Sequence, residues 1–122
     1  MGKLCLLVDD SSVVRKVSRR MLEEMGFQIA EACDGKEAIE RCKERLPDII
    51  LLDWNMPVMD GMEFLKTFRT DANHKGVVVI FCTTENDITK IMLAMEAGAN
   101  EYIMKPFDEA ILRTKLQQLG LM

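Results

Sequence analysis

Five short aliphatic segments, at 4–8, 28–32, 48–53, 77–82 and 100–104, recur about every 25 residues, each followed by a stretch whose apolar residues return at helical spacing. That alternation leaves few options. A strand can reach a parallel neighbour only through a crossover long enough to hold a helix, so the pattern predicts βαβ units on one parallel sheet. Three segments are continuously apolar: Leu4-Cys5-Leu6-Leu7-Val8, Ile49-Ile50-Leu51-Leu52 and Val77-Val78-Val79-Ile80-Phe81. Strands covered by helices on both faces read this way. The second segment (Gln28-Ile29-Ala30-Glu31-Ala32) and the fifth (Glu101-Tyr102-Ile103-Met104) dilute their apolar residues, which places them at the sheet edges. With right-handed crossovers this favours the strand order 2-1-3-4-5.

Between the strands, Val13, Val14, Val17, Met21, Leu22 and Met25 keep to one stripe, as do Ile88, Ile91, Met92 and Met95; both are expected to pack on the sheet. Four of the ten methionines, Met21, Met25, Met92 and Met95, fall on these stripes, where they are expected to fill core gaps. Asp34, Asp60 and Thr84 each precede an acidic residue by three positions, a spacing that starts helices, and Gly26, Gly98 and Gly120 stand where helices should stop. No linker or repeat interrupts the series, so 1–122 is expected to be a single domain with no output domain attached.

Several function classes are disfavoured. The longest apolar run, 77–82, is six residues, where a membrane span needs about 20. The first residues lack the basic region and apolar stretch of a secretion signal, and a cytoplasmic protein is expected. Cys5, Cys33, Cys42 and Cys82 sit singly and His74 is the only histidine, which suits reduced thiols and not a zinc site. Sixteen basic against 20 acidic residues give a net charge of −4, a poor balance for tracking nucleic acid. Arg15, Lys16, Arg19 and Arg20 on the first helix read foremost as a solvated face, with docking of a partner second.

In an open α/β sheet of this order, ligands bind beyond the carboxyl ends of the strands, at the switch between the first and third. The residues there are polar: Asp9-Asp10 after strand one, Asp53 after strand three, Thr83 after strand four, Lys105-Pro106 after strand five. Three carboxylates held close together repel one another until a proton or a cation neutralises them. Mg²⁺ suits such a site, with a carbonyl from the following loop, best placed at Asn55, and several waters. A cation, a spare carboxylate, a hydroxyl and a lysine are what phosphoryl transfer requires, with one aspartate as nucleophile.

These residues, with the loop Asn55-Met56-Pro57-Val58-Met59-Asp60-Gly61, resemble the receiver domains of two-component response regulators, in their CheY-like single-domain form. The resemblance covers the whole chain and implies a flavodoxin-like (βα)5 doubly wound fold. It implies that Asp53 accepts a phosphoryl group from a sensor histidine kinase or histidine phosphotransfer protein. Asp10, Asp53 and the Asn55 backbone carbonyl would bind Mg²⁺, with Asp9 acting through a bound water. Lys105, joined to Pro106 by a cis bond, would pair with the phosphoryl group. Thr83 would move to hydrogen-bond it, Tyr102 would turn into the vacated space, and Asn55 and Glu85 would tune hydrolysis. The surface of the fourth helix, fifth strand and fifth helix would then bind a downstream protein, the regulator itself being a monomer that catalyses only its own phosphorylation and dephosphorylation.

Other readings fit less well. A Mg²⁺-dependent phosphatase with an aspartyl nucleophile would want a second carboxylate two residues on, where Asn55 stands. A phosphorylation-independent pseudo-receiver would not need the full polar set, and an acidic crevice is a poor host for a flavin phosphate. Thr84, beside the switch hydroxyl, is bulkier than the residue usual there; it narrows the entrance or caps the fourth helix. Trp54, the lone tryptophan, is expected to pack beside the crevice.

Overall fold

The computed structural model describes residues 2–84 and 88–122. The chain runs β1 (Leu4–Val8), α1 (Ser12–Glu24), β2 (Gln28–Ala32), α2 (Gly35–Glu44), β3 (Ile49–Asp53), α3 (Gly61–Arg69), a 3-10 turn at Ala72–His74, β4 (Val78–Thr83), α4 (Ile88–Glu96), β5 (Glu101–Met104) and α5 (Glu109–Gln118). All strand pairs are parallel and the order is β2-β1-β3-β4-β5, with the two diluted strands at the edges as expected. No described helix is long and apolar enough to cross a membrane.

Alternation along the strands divides the core in two. Leu6, Val8, Ile50, Leu52, Val79 and Phe81 face one side, where Ala38 of α2, Phe64 and Phe68 of α3 and Ala94 of α4 cover them. Cys5, Leu7, Ile49, Leu51, Ile80, Cys82 and Ile103 face the other, against Leu22 of α1 and Leu112 and Leu116 of α5. Each continuously apolar strand therefore feeds both layers, which is why it cannot alternate with polar residues. Phe64 is fully buried, and truncating it to alanine would cost about 3–5 kcal/mol.

Asp34 and Asp60 accept from the backbone N–H groups of Glu37 and Glu63, as their spacing predicts. Ser11 and Asp108 cap α1 and α5 in the same way without the acidic residue that flags such a cap in sequence. For the pairing of Thr84 with Asp87, Asp87 lies outside the described residues. Gly26, Gly98 and Gly120 follow α1, α4 and α5 at positive φ. Three strands begin one residue later than the apolar runs suggest. Asp48 lies before β3, its carboxylate accepting from Leu4 N–H at 2.8 Å, and Asn100 lies before β5, its side-chain oxygen accepting from Val79 N–H at 2.8 Å. Both side chains serve a neighbouring strand, where sequence reading counted their own backbone as strand. β4 likewise runs 78–83, so Thr83 is its last residue and not the first beyond it.

The apolar stripes need correction. In α1 the buried residues are Ser18 and Leu22, while Val13 and Val17 are 69% and 53% exposed. In α4, Ala94 is buried and Ile88, Met92 and Met95 are exposed. Small residues let a helix approach the sheet closely and carry little hydropathy, so the periodicity favoured larger side chains that the packing leaves outside.

Candidate functional site

The carboxyl ends of β1, β3 and β5 bring their polar residues to one crevice. Asp9 continues the ladder by donating its N–H to Ala32 O at 3.1 Å. Its side chain is then fixed from two sides: Oδ1 accepts from Ser11 N–H at 2.9 Å, and Oδ2 lies 2.6 Å from the Lys105 ammonium. Lys105 donates also to Asp53 Oδ1 at 3.0 Å, so one cation bridges two carboxylates. Asp10, next in the chain, is exposed. One oxygen from each of Asp9, Asp10 and Asp53 lies within 4.8 Å of the others.

Local backbone geometry holds this arrangement. Lys105 donates its N–H to Thr83 O at 2.9 Å, and the Lys105–Pro106 bond is cis, as expected from the resemblance. Gly61 opens α3 directly against the end of β3, donating its N–H to Trp54 O at 3.0 Å. A Cβ at Gly61 would stand 2.2 Å from Asp53 O, so only glycine admits this approach.

The site is dry enough for its charges to matter. The side chains of Lys105, Asp9 and Asp53 keep 16%, 10% and 12% of their exposure. Burial pushes the Asp53 carboxyl above the usual carboxylate range, repulsion from Asp9 and Asp10 adds to the push, and Lys105 opposes it. Burial alone would lower the Lys105 ammonium, but its hydrogen bonds to Asp9 and Asp53 raise it instead. Three carboxylates against one ammonium leave the cluster two charges short of neutrality, which is the charge of one divalent cation. An all-oxygen donor set of this kind fits a hard cation such as Mg²⁺.

Thr83 is buried, and with Trp54, Phe81, Lys90, Ile91, Ala94 and Tyr102 it lines a small cavity of about 10 Å³. Tyr102 is half-buried, with the Lys115 ammonium 5.3 Å from its ring centre. Trp54 packs edge-on against Phe81 with ring centres 4.7 Å apart. Asn55 is exposed in the loop beyond β3, and Glu85 lies outside the described residues. The four thiols are free; burial pushes Cys5 upward, and Cys82, under the crevice, up to about 12.

Two features escaped sequence reasoning. Lys105, expected to meet an incoming phosphoryl group, also bridges Asp9 and Asp53, a contact that sequence does not show. The basic face of α1 is also only partly a solvated face. Arg15 and Arg19 both turn to Glu31 of β2, at 3.0 and 2.7 Å, and Arg15 donates a further hydrogen bond to the backbone oxygen of Asp9. A lone glutamate in an edge strand was the available signal.

A doubly wound sheet with an acidic, cation-seeking crevice at its switch point defines a class of α/β protein suited to handling a phosphoryl group. Residues 5–117 match the family of the response regulator receiver domain. The chain is 38% identical over 114 residues to chemotaxis protein CheY1 of Helicobacter pylori, covering 92% of both. It is 39% identical over 115 residues to chemotaxis protein CheY-3 of Vibrio cholerae, covering 93% of this chain and 88% of that one. Among solved structures, Vibrio cholerae chemotaxis protein CheY4 superposes with a TM-score of 0.92 at 32% identity over the whole of both chains. The receiver domain of sensor histidine kinase PA1611 from Pseudomonas aeruginosa, which has a magnesium ion coordinated in its active-site cleft, superposes at 0.87 with 31% identity, covering 97% of each. The chain belongs to the response regulator receiver family: it is a phospho-accepting, CheY-like regulator of two-component signalling, a signalling receiver domain.

Proposed function

We propose that Asp53 is the phosphoacceptor and that the donor is a phosphohistidine on a sensor histidine kinase or a histidine phosphotransfer protein. The observation that carries this is the convergence of Asp9, Asp10 and Asp53 oxygens within 4.8 Å, with Lys105 bridging Asp9 and Asp53. An Asp53 carboxylate oxygen attacks phosphorus, the phosphorus–nitrogen bond breaks, and the imidazole leaves with its electron pair and takes up a proton. Asp10, Asp53 and the Asn55 carbonyl would hold Mg²⁺, with Asp9 acting through a water. Bound there, Mg²⁺ would supply neutralising charge for the carboxylates and the phosphoryl oxygens. Lys105, relieved of neutralising Asp9 and Asp53 alone, is free to meet the phosphoryl group.

The new acceptor oxygens draw the Thr83 hydroxyl toward them, and Tyr102 occupies the space beside it. Their shared cavity supports that coupling. The readout surface is α4-β5-α5, where Ile88, Met92 and Leu93 on α4 and Ile111 on α5 stand exposed for a downstream protein. Asn55 and Glu85 set how readily water removes the mark, a reaction the domain catalyses on itself. The regulator acts in the cytoplasm as a monomer, and its phosphorylation is read by contact with other proteins. Incubation with Mg²⁺ and acetyl phosphate should add one phosphoryl mass and change Trp54 fluorescence, and Asp53→Ala should abolish the mass gain. Undiminished uptake in Asp53→Ala would refute the assignment.

A further inference from the structure

The guanidinium of Arg15 does more than decorate α1. Its Nε donates to Glu31 Oε1 at 3.0 Å, and a second nitrogen donates to the backbone oxygen of Asp9. Glu31 is held from its other oxygen by Arg19 at 2.7 Å, so β2, α1 and the end of β1 are tied through one planar group. The Asp9 carbonyl lies beyond the last paired residue of β1, where the ladder no longer offers it a donor. With Arg15 in place, every polar group of Asp9 has a partner: its N–H on Ala32 O, its carbonyl on Arg15, and its carboxylate oxygens on Ser11 N–H and Lys105. Arg15 is 16% exposed and lines the same crevice as Asp9, Asp53 and Lys105.

We propose that Arg15 is a positioning residue for the cation site, fixing the Asp9–Asp10 turn through the Asp9 backbone oxygen while Glu31 fixes Arg15. The inference rests on the crevice binding Mg²⁺. Its direction is opposite to that of simple electrostatics. A cation in the wall of an acidic crevice repels Mg²⁺, so removing it should tighten binding through the field alone. Loss of the orienting hydrogen bond weakens binding, because outer partners of a metal site keep its ligands aimed. Lysine in place of Arg15 keeps the charge, but a compact ammonium lacks the planar fork that spans Glu31 and the Asp9 oxygen together.

The test is calorimetric titration of the folded protein with Mg²⁺, alongside thermal melting in EDTA. Arg15→Met and Arg15→Lys are each expected to weaken Mg²⁺ binding about tenfold. Arg19→Met, which removes a cation with no contact in the crevice, should stay within about twofold on the same scale. Affinity that is unchanged or tighter in Arg15→Met overturns the inference, as does an equal loss in Arg19→Met. If Arg15→Met fails to fold, Arg15→Lys decides: parental affinity there overturns the proposal and a loss supports it. Absence of any Mg²⁺ binding by the parent would instead overturn the metal reading itself, and this inference with it.

Discussion

Replacing Lys105 with methionine keeps the unbranched stem, one atom shorter, and removes the ammonium that lies between Asp9 and Asp53, at 2.6 and 3.0 Å. At an effective dielectric of about 20, each attraction is worth roughly 5.5–6.5 kcal/mol before desolvation is subtracted. Breaking a fully buried pair from one side costs about 3–5 kcal/mol. These three side chains keep between 10% and 16% of their exposure, so we expect a loss of about 2–3 kcal/mol in EDTA. For a chain of this size that is a fall in melting temperature of roughly 10 °C. Mg²⁺ should reverse it. With Lys105 gone, the two carboxylates face a divalent cation without a competitor, so the variant should gain more from Mg²⁺ than the parent does. At one saturating Mg²⁺ concentration both proteins are stabilised, and cancelling a deficit of about 2.7 kcal/mol requires the variant to bind Mg²⁺ about 100 times more tightly than the parent. Urea melts of parent and variant, with EDTA and with saturating Mg²⁺, provide the measurement. A deficit of the same size in both buffers would show that Lys105 acts by packing alone, and the account of the crevice as a shared-cation site would fail.

Three further outcomes follow from the same structure. Gly61→Ala drives a methyl group toward Asp53 O, 2.2 Å from the ideal Cβ, and should cost about 3 kcal/mol of stability while weakening Mg²⁺ binding; a change under about 0.5 kcal/mol would mean the loop yields freely. Val58 holds a φ of 68° with its side chain 77% exposed, so Val58→Asn should stabilise the protein by about 1 kcal/mol in urea melts, and destabilisation would contradict the strain argument. Burial alone would push the Glu31 carboxyl upward, but hydrogen bonds from Arg19 and Arg15 overcome that and set it below its ordinary value of 4.5. The unfolded chain then binds the proton more readily, so this stability is full above the ordinary value and is lost as pH falls through the lowered one. Glu31→Gln should flatten that acid limb of the stability curve, and a limb of unchanged slope would remove Glu31 from the explanation.

The composition of each strand carries its place in the sheet. Ile49 to Leu52 are apolar without a break because both faces of β3 are covered, and Gln28 and Glu101 are tolerated because β2 and β5 are edges. Strand order in turn located the crevice, so Asp9, Asp10, Asp53 and Lys105 could be named from their positions at strand ends. Helix faces were less legible. Val13 and Ile88 have the spacing of core residues, but Ser18 and Ala94 are what the sheet accepts, because the distance of closest approach is set by the partner surface and not by hydropathy along one helix.

By itself, then, the sequence determined the architecture and the chemical character of the crevice, since both depend on which residues sit at regular intervals and at the ends of strands. Tertiary structure alone decided who pairs with whom: Lys105 with Asp9 across 96 positions, Arg15 and Arg19 with Glu31, and Arg69 with Gly98 and Asn100 across two loops. The reason is physical. Periodicity records the solvent preference of each residue separately, whereas an ion pair depends on where two distant segments come to rest, and only the packed sheet sets that distance.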